Sequence, residues 1–136
     1  MLQAAQATSF FGKTYGEAMG LLEEARDYLT HREPIDRQRL VSLDRLRLCC
    51  ETMRLTARLT QIMAWLLAQR AVHAGEITQE AALGDNRALA ELEICMGGAE
   101  AETEALPRHL TALLERSRRL YLRVARLDEL VRRPQP

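Results

Sequence analysis

Apolar residues along this chain recur at helical rather than strand spacing, in three stretches separated by two changes of pattern. In the first stretch, from about residue 8 to residue 31, Phe11, Tyr15, Ala18, Leu22, Ala25 and Leu29 alternate four and three apart. That spacing predicts one amphipathic helix. Glu33-Pro34 follows, and a residue before proline is steered out of helical backbone, so the reading places a break there, with Asp36 as the cap of the next element. The second stretch, about 37 to 74, predicts a helix near 57 Å long at about 1.5 Å per residue. It carries two apolar stripes. One is Leu46, Cys50, Met53, Ala57, Thr60, Ala64, Leu67 and Ala71; the other is Leu48, Thr52, Leu55, Leu59, Ile62 and Leu66. An offset of two residues sets them roughly 200° apart at about 100° per residue.

Gly75 suits the left-handed residue that ends this helix, Ile77 is placed to fold back on its last turn, and Thr78 can cap a short segment beyond. Through 79–104 the pattern weakens into a partly irregular acidic connection, whose Leu89, Leu92 and Ile94 are expected to touch the bundle. The third stretch, about 105 to 132, opens on Leu106-Pro107 and repeats Leu110, Leu113, Ser117, Leu120, Val124, Leu127 and Val131 to a basic last turn. The predicted architecture is all-α: a single domain over residues 1–136, an antiparallel three-helix bundle. In it one face of the central helix serves both neighbours. The second stripe, with Leu48, Leu55, Leu59, Ile62 and Leu66 as its apolar members, is then covered by the 79–105 segment, by splayed outer helices or by another copy. A homodimer answers best, since isologous dimers are the commonest oligomers.

Charge adds structure to a chain whose net charge is zero. Residues 37–70 hold seven Arg against two acids, 76–105 eight acids against one Arg, and 106–136 eight Arg against three acids. The acidic block lies across the basic helices or stays solvated between them; alternatively a basic helical surface faces an acidic partner. Arg116, Arg118, Arg119, Arg123 and Arg126 crowd the last helix and raise nucleic-acid binding. The neutral balance and the lack of a helix-turn-helix signal weigh against it.

Chemistry is sparse. His31, His73 and His109 sit at helix ends with no HExxH or Glu-x-x-His spacing, and Cys49, Cys50 and Cys95 form neither a CxxC pair nor a disulfide framework. No phosphate loop, nucleophile elbow or zinc-ligand pair is present, so no catalytic residue, metal or cofactor is expected. The opening residues lack the basic n-region and long apolar run of a signal peptide, and the longest apolar run, Ile62 to Ala68, is too short to span a membrane. A cytoplasmic, non-membrane protein is expected. The remaining candidate is a polar line between the two stripes that includes Arg54, Arg58 and Trp65. It is either a solvated face with one core tryptophan or an Arg/Trp strip that docks a partner, these being residue types enriched at binding hot spots.

"TYGEAMGLLEEARDYL" (14–29), "ETMRLTARLTQIMAWLLAQRAVHAGEIT" (51–78) and "LPRHLTALLERSRRLYLRVARLDEL" (106–130) together resemble the alphaproteobacterial RcdA-like family, the regulators of CtrA degradation. The resemblance implies a dimeric three-helix bundle without enzymatic activity. It also implies an adaptor that links a response-regulator-type primer and protein substrates to the ClpXP protease, through the ClpX unfoldase, during the cell cycle. Residues 79–105 and the first dozen depart from the likeness, and no family motif assigns docking residues. A DNA-associated regulator working through the last helix is the alternative.

Overall fold

The computed structural model describes residues 2–84 and 106–132, with side chains from Phe11 onward, and every regular element among them is helical. Helix α1 spans Leu2–Asp27 and passes through one π turn, Tyr28–Arg32, into α2, Glu33–Arg39. After a corner at Leu40 and Val41 come α3, Ser42–His73, the short α4, Gln79–Gly84, and α5, Arg108–Arg132.

The first break is therefore not at Glu33-Pro34. Glu33 keeps helical angles (φ −56°, ψ −44°), and its N–H donates to the carbonyl of Tyr28, five residues back. This wider turn gives the Pro34 ring room that an α-helical turn would deny it, and the helix continues past the proline. The chain turns instead at Leu40 and Val41, both extended (ψ 151° and 162°). Leu40 packs on the core there, and the Arg45 side chain donates to the carbonyls of Leu40 (2.8 Å) and Gln38 (3.5 Å), groups that the end of α2 leaves open. Asp36 caps nothing; it lies within α2 and accepts the Tyr28 hydroxyl at 3.1 Å.

The end of α3 follows the expectation. Gly75 has φ +77°, its N–H donates to Val72, and the Glu76 N–H reaches back to Ala71, the paired bonds of a Schellman motif. Thr78 then caps α4, accepting the Ala81 N–H at 3.2 Å.

Helices α1, α3 and α5 each pack on the other two around Leu21, Tyr28, Leu55, Ile62, Trp65, Leu113, Leu120 and Val124. Helix α1 is antiparallel to both neighbours: Phe11 meets Trp65 and His73 near the end of α3, while Glu17 pairs with Arg123 and Glu24 with Arg116 along α5. Helices α3 and α5 run parallel, because Arg58 contacts Leu114 and Ser117 and, further along both helices, Trp65 contacts Asp128. Short connections would have made α1 and α5 the parallel pair. Here Gly84 and Leu106 stand near opposite ends of the bundle: Arg132 at the end of α5 donates to the carbonyl of Leu83, whereas His109 stacks near Tyr28. The acidic connection, with Leu89, Leu92, Ile94 and Cys95, lies outside the described residues over 85–105.

Candidate interaction surfaces

The two stripes of α3 exchange the roles expected of them. Leu48, Leu55, Leu59, Ile62 and Leu66 are 0–2% exposed and form the chain's own core, so a second copy cannot reach them. Leu46, Cys50, Met53, Ala57, Thr60, Ala64 and Leu67 are exposed instead, Met53 and Leu46 by 71% and 61%. Periodicity shows that α3 has two apolar sides but not which one the neighbours take, since both have coiled-coil spacing. A composition signal was available. Larger aliphatic residues fill the buried stripe, while the exposed one has a small-residue middle at Ala57, Thr60 and Ala64. Beside the latter, Leu29, Thr52, Met53, Thr56 and Ala57 line an open, largely apolar notch of about 350 Å³ between the π turn and α3.

The Arg54, Arg58, Trp65 strip is not a free docking surface. Trp65 is fully buried and donates through Nε1 to Asp128 Oδ1 at 2.9 Å. Arg58 is 5% exposed, and one terminal nitrogen donates to the carbonyl of Leu114 and to Ser117 Oγ, both at 2.8 Å. Burial lowers the Arg58 pKa; nearby Glu51 opposes that shift, and Arg118 and Arg54 add to it. Its Nε has no hydrogen-bond partner among the described residues. Arg54, half-buried, pairs with Glu51 one turn earlier. Ser117 was the sequence clue to this network, as the one polar member of an otherwise apolar stripe. Asp128 gave no such clue, because its partner is 63 positions away.

On the other flank, Glu17, Leu21, Arg116, Arg119, Leu122, Arg123 and Arg126 line an open groove of about 500 Å³ between α1 and α5. Three of its four arginines already hold carboxylates: Arg116 binds Glu24, Arg123 binds Glu17, and Arg119 binds Glu115. The Arg116 hydrogen bond holds the Glu24 carboxyl below the ordinary carboxylate range. Two arginines of the row that raised nucleic-acid binding, Arg116 and Arg123, thus join α5 to α1, and Arg119 pairs within α5. Among the described residues no group of three His, Cys, Asp or Glu side chains could hold a metal, and no helix is long and apolar enough to cross a membrane.

A family model described as a protein of unknown function, DUF1465, matches residues 2–136. The crystal structure of RcdA from Caulobacter crescentus CB15 is 39% identical, with 89% of each chain covered and a TM-score of 0.73. No curated protein matches.

Proposed function

This chain belongs to the DUF1465 family and is RcdA-like, and from that premise we propose that it is a non-enzymatic adaptor of regulated proteolysis. The observation that carries the reading is the 39% identity to RcdA, sustained over 89% of both chains. In this reading the protein brings a response-regulator-type primer and protein substrates to a ClpX-type unfoldase in the cytoplasm, and its work is binding alone.

The exposed stripe of α3 supports assembly. A two-copy contact packed antiparallel about Ala57 sets Met53 of each copy opposite Thr60 of the other, and Leu46 opposite Leu67. Large residues then face small or well-matched ones, and the small middle lets the helices approach closely. Homodimerisation is therefore proposed on Leu46, Met53 and Leu67 rather than on the buried stripe.

The direct test is reconstituted ATP-dependent degradation of a primer-dependent substrate by ClpXP, with and without this protein. Faster degradation is expected, together with retention of the unfoldase or primer on the immobilised protein. Absence of both effects overturns the proposal. A titration with random duplex DNA from about 50 to 200 mM salt separates the DNA-associated alternative, whose phosphate contacts would give steeply salt-dependent binding.

A further inference from the structure

The groove between α1 and α5 holds cationic capacity that the bundle's own ion pairs do not use. Arg116 and Arg123 are committed to α1, where they hold Glu24 and Glu17. Arg126 lines the same groove, is exposed, and forms no hydrogen bond or ion pair among the described residues. Arg119 meets Glu115 through Nε, in a contact between side chains 73% and 53% exposed. A guanidinium carries five N–H donors, so this pair leaves Arg119 able to take a second carboxylate. Solvated pairs of this kind are also weak enough to rearrange.

Between these two cations lies an apolar residue. Leu122 is 41% exposed, and it shares the lining with Leu21 of α1, whose burial makes it the floor. Arg119, Leu122 and Arg126 follow one another at three and four positions, on one face of α5. At about 1.5 Å per residue they stand about 4.5 and 6 Å apart along the helix axis. Alternate residues of an extended chain lie about 6.6 Å apart, and the long arginine side chains absorb the difference. An acid, an apolar residue and a second acid at alternate positions of an extended segment therefore meet the three in turn. A nucleic-acid backbone fits less well, because it gains from the arginines but nothing from Leu122 and Leu21. An exposed leucine flanked by arginines has instead the composition of a protein contact, apolar at its centre and charged at its edge.

We propose that the α1–α5 groove at Arg119, Leu122 and Arg126 docks an extended acidic segment of a partner protein, one that alternates acid, apolar residue and acid. Its carboxylates meet Arg126 and Arg119, and its apolar side chain packs on Leu122 above Leu21. The proposal stands on the groove and does not require the adaptor reading. Stimulated proteolysis without binding of such a segment would sink the groove alone, and binding without stimulated proteolysis would sink the adaptor alone.

Fluorescence anisotropy tests it, with the full chain titrated into a labelled peptide whose core is Glu-Ala-Leu-Ala-Glu. Saturable binding is expected. Arg126→Gln should weaken it by about fivefold, and Arg126→Gln with Leu122→Gln by about tenfold or more, with the helical circular dichroism unchanged because both residues are exposed. Peptides with Gln for both Glu, or with Ser for Leu, should bind more weakly to the wild type and lose little further on the double variant, as coupled partners do. Arg39→Gln, on α2 and outside the groove, should leave binding unchanged. No saturation by about 1 mM would overturn the proposal, as would equal weakening by Arg39→Gln, which would reduce the effect to net charge. Random duplex DNA that displaces the peptide through Arg126 would assign the groove to phosphate instead. A lower light-scattering mass for the double variant than for the wild type would assign it to a second copy of the chain, and either result rejects the acidic segment.

Discussion

At the scale of single residues, the buried polar network separates what spacing can reveal from what it cannot. Arg58 and Trp65 share a helix face in the sequence, but their burial depends on Ser117 and Asp128 in a helix about sixty positions away. Local periodicity carries no such information. Replacing Arg58 by Met should change stability by no more than about 1 kcal/mol, because Ser117 still donates to the Leu114 carbonyl and no buried donor is stranded. Denaturant unfolding checks this; a loss above about 3 kcal/mol would mean that the charge itself holds the bundle. Trp65→Phe should cost about 1–2 kcal/mol, for the lost bond to Asp128 and a smaller ring. Tyr28 predicts a pH effect. Burial, and then the hydrogen bond to Asp36, raise its pKa above the ordinary 10.0. The unfolded chain releases this proton first, so the stability Tyr28 contributes is intact below about pH 10 and falls as the pH rises further. Melting temperatures of wild type and Tyr28→Phe should therefore converge above pH 10, whereas a constant gap would contradict the assignment.

At the scale of the element, the helices and most of their ends were legible, but their partners were not. Gly75 and Thr78 act locally, and both did what their chemistry implied. Pro34 misled because a π turn absorbs it, and nothing in the adjacent residues announces the wider turn. The two stripes of α3 were also visible, yet assigning them requires knowing which side the other helices occupy. Their exchange makes a paired prediction. Leu46→Glu with Met53→Glu should leave the helical signal intact and yield the 15.5 kDa monomer by light scattering. Ile62→Glu should unfold the chain, since it buries an unpaired charge in the core. A wild-type protein that is already monomeric at tens of micromolar would remove the dimer proposal. On α1, a Cβ added at Gly16 or Gly20 meets nothing within 4 Å. Gly16→Ala and Gly20→Ala should each stabilise the chain by about 0.5–1 kcal/mol, through helix propensity alone.

For the molecule as a whole, an all-helical bundle follows from three stripes of similar period, whereas the direction of the last helix does not. Sequence favours the shortest connection, and the packed core of Leu113, Leu120 and Val124 wins over it by placing α5 alongside α3. That parallel placement has a kinetic consequence. Helices α1 and α3 are joined through the π turn, α2 and the corner at Leu40 and Val41, a short and mostly helical connection, and can find each other as a hairpin, while α5 must wait for some thirty residues to close before its contacts repay the lost entropy. Folding should therefore begin with the hairpin. Leu29→Ala, beside α3, is expected to slow refolding, whereas Val124→Ala in α5 should mainly hasten unfolding. In stopped-flow chevrons the first substitution lowers the folding arm and the second raises the unfolding arm. Part-made chains emerging from the ribosome would thus hold a paired α1 and α3 with an apolar face still awaiting α5, a face that a chaperone could occupy during synthesis.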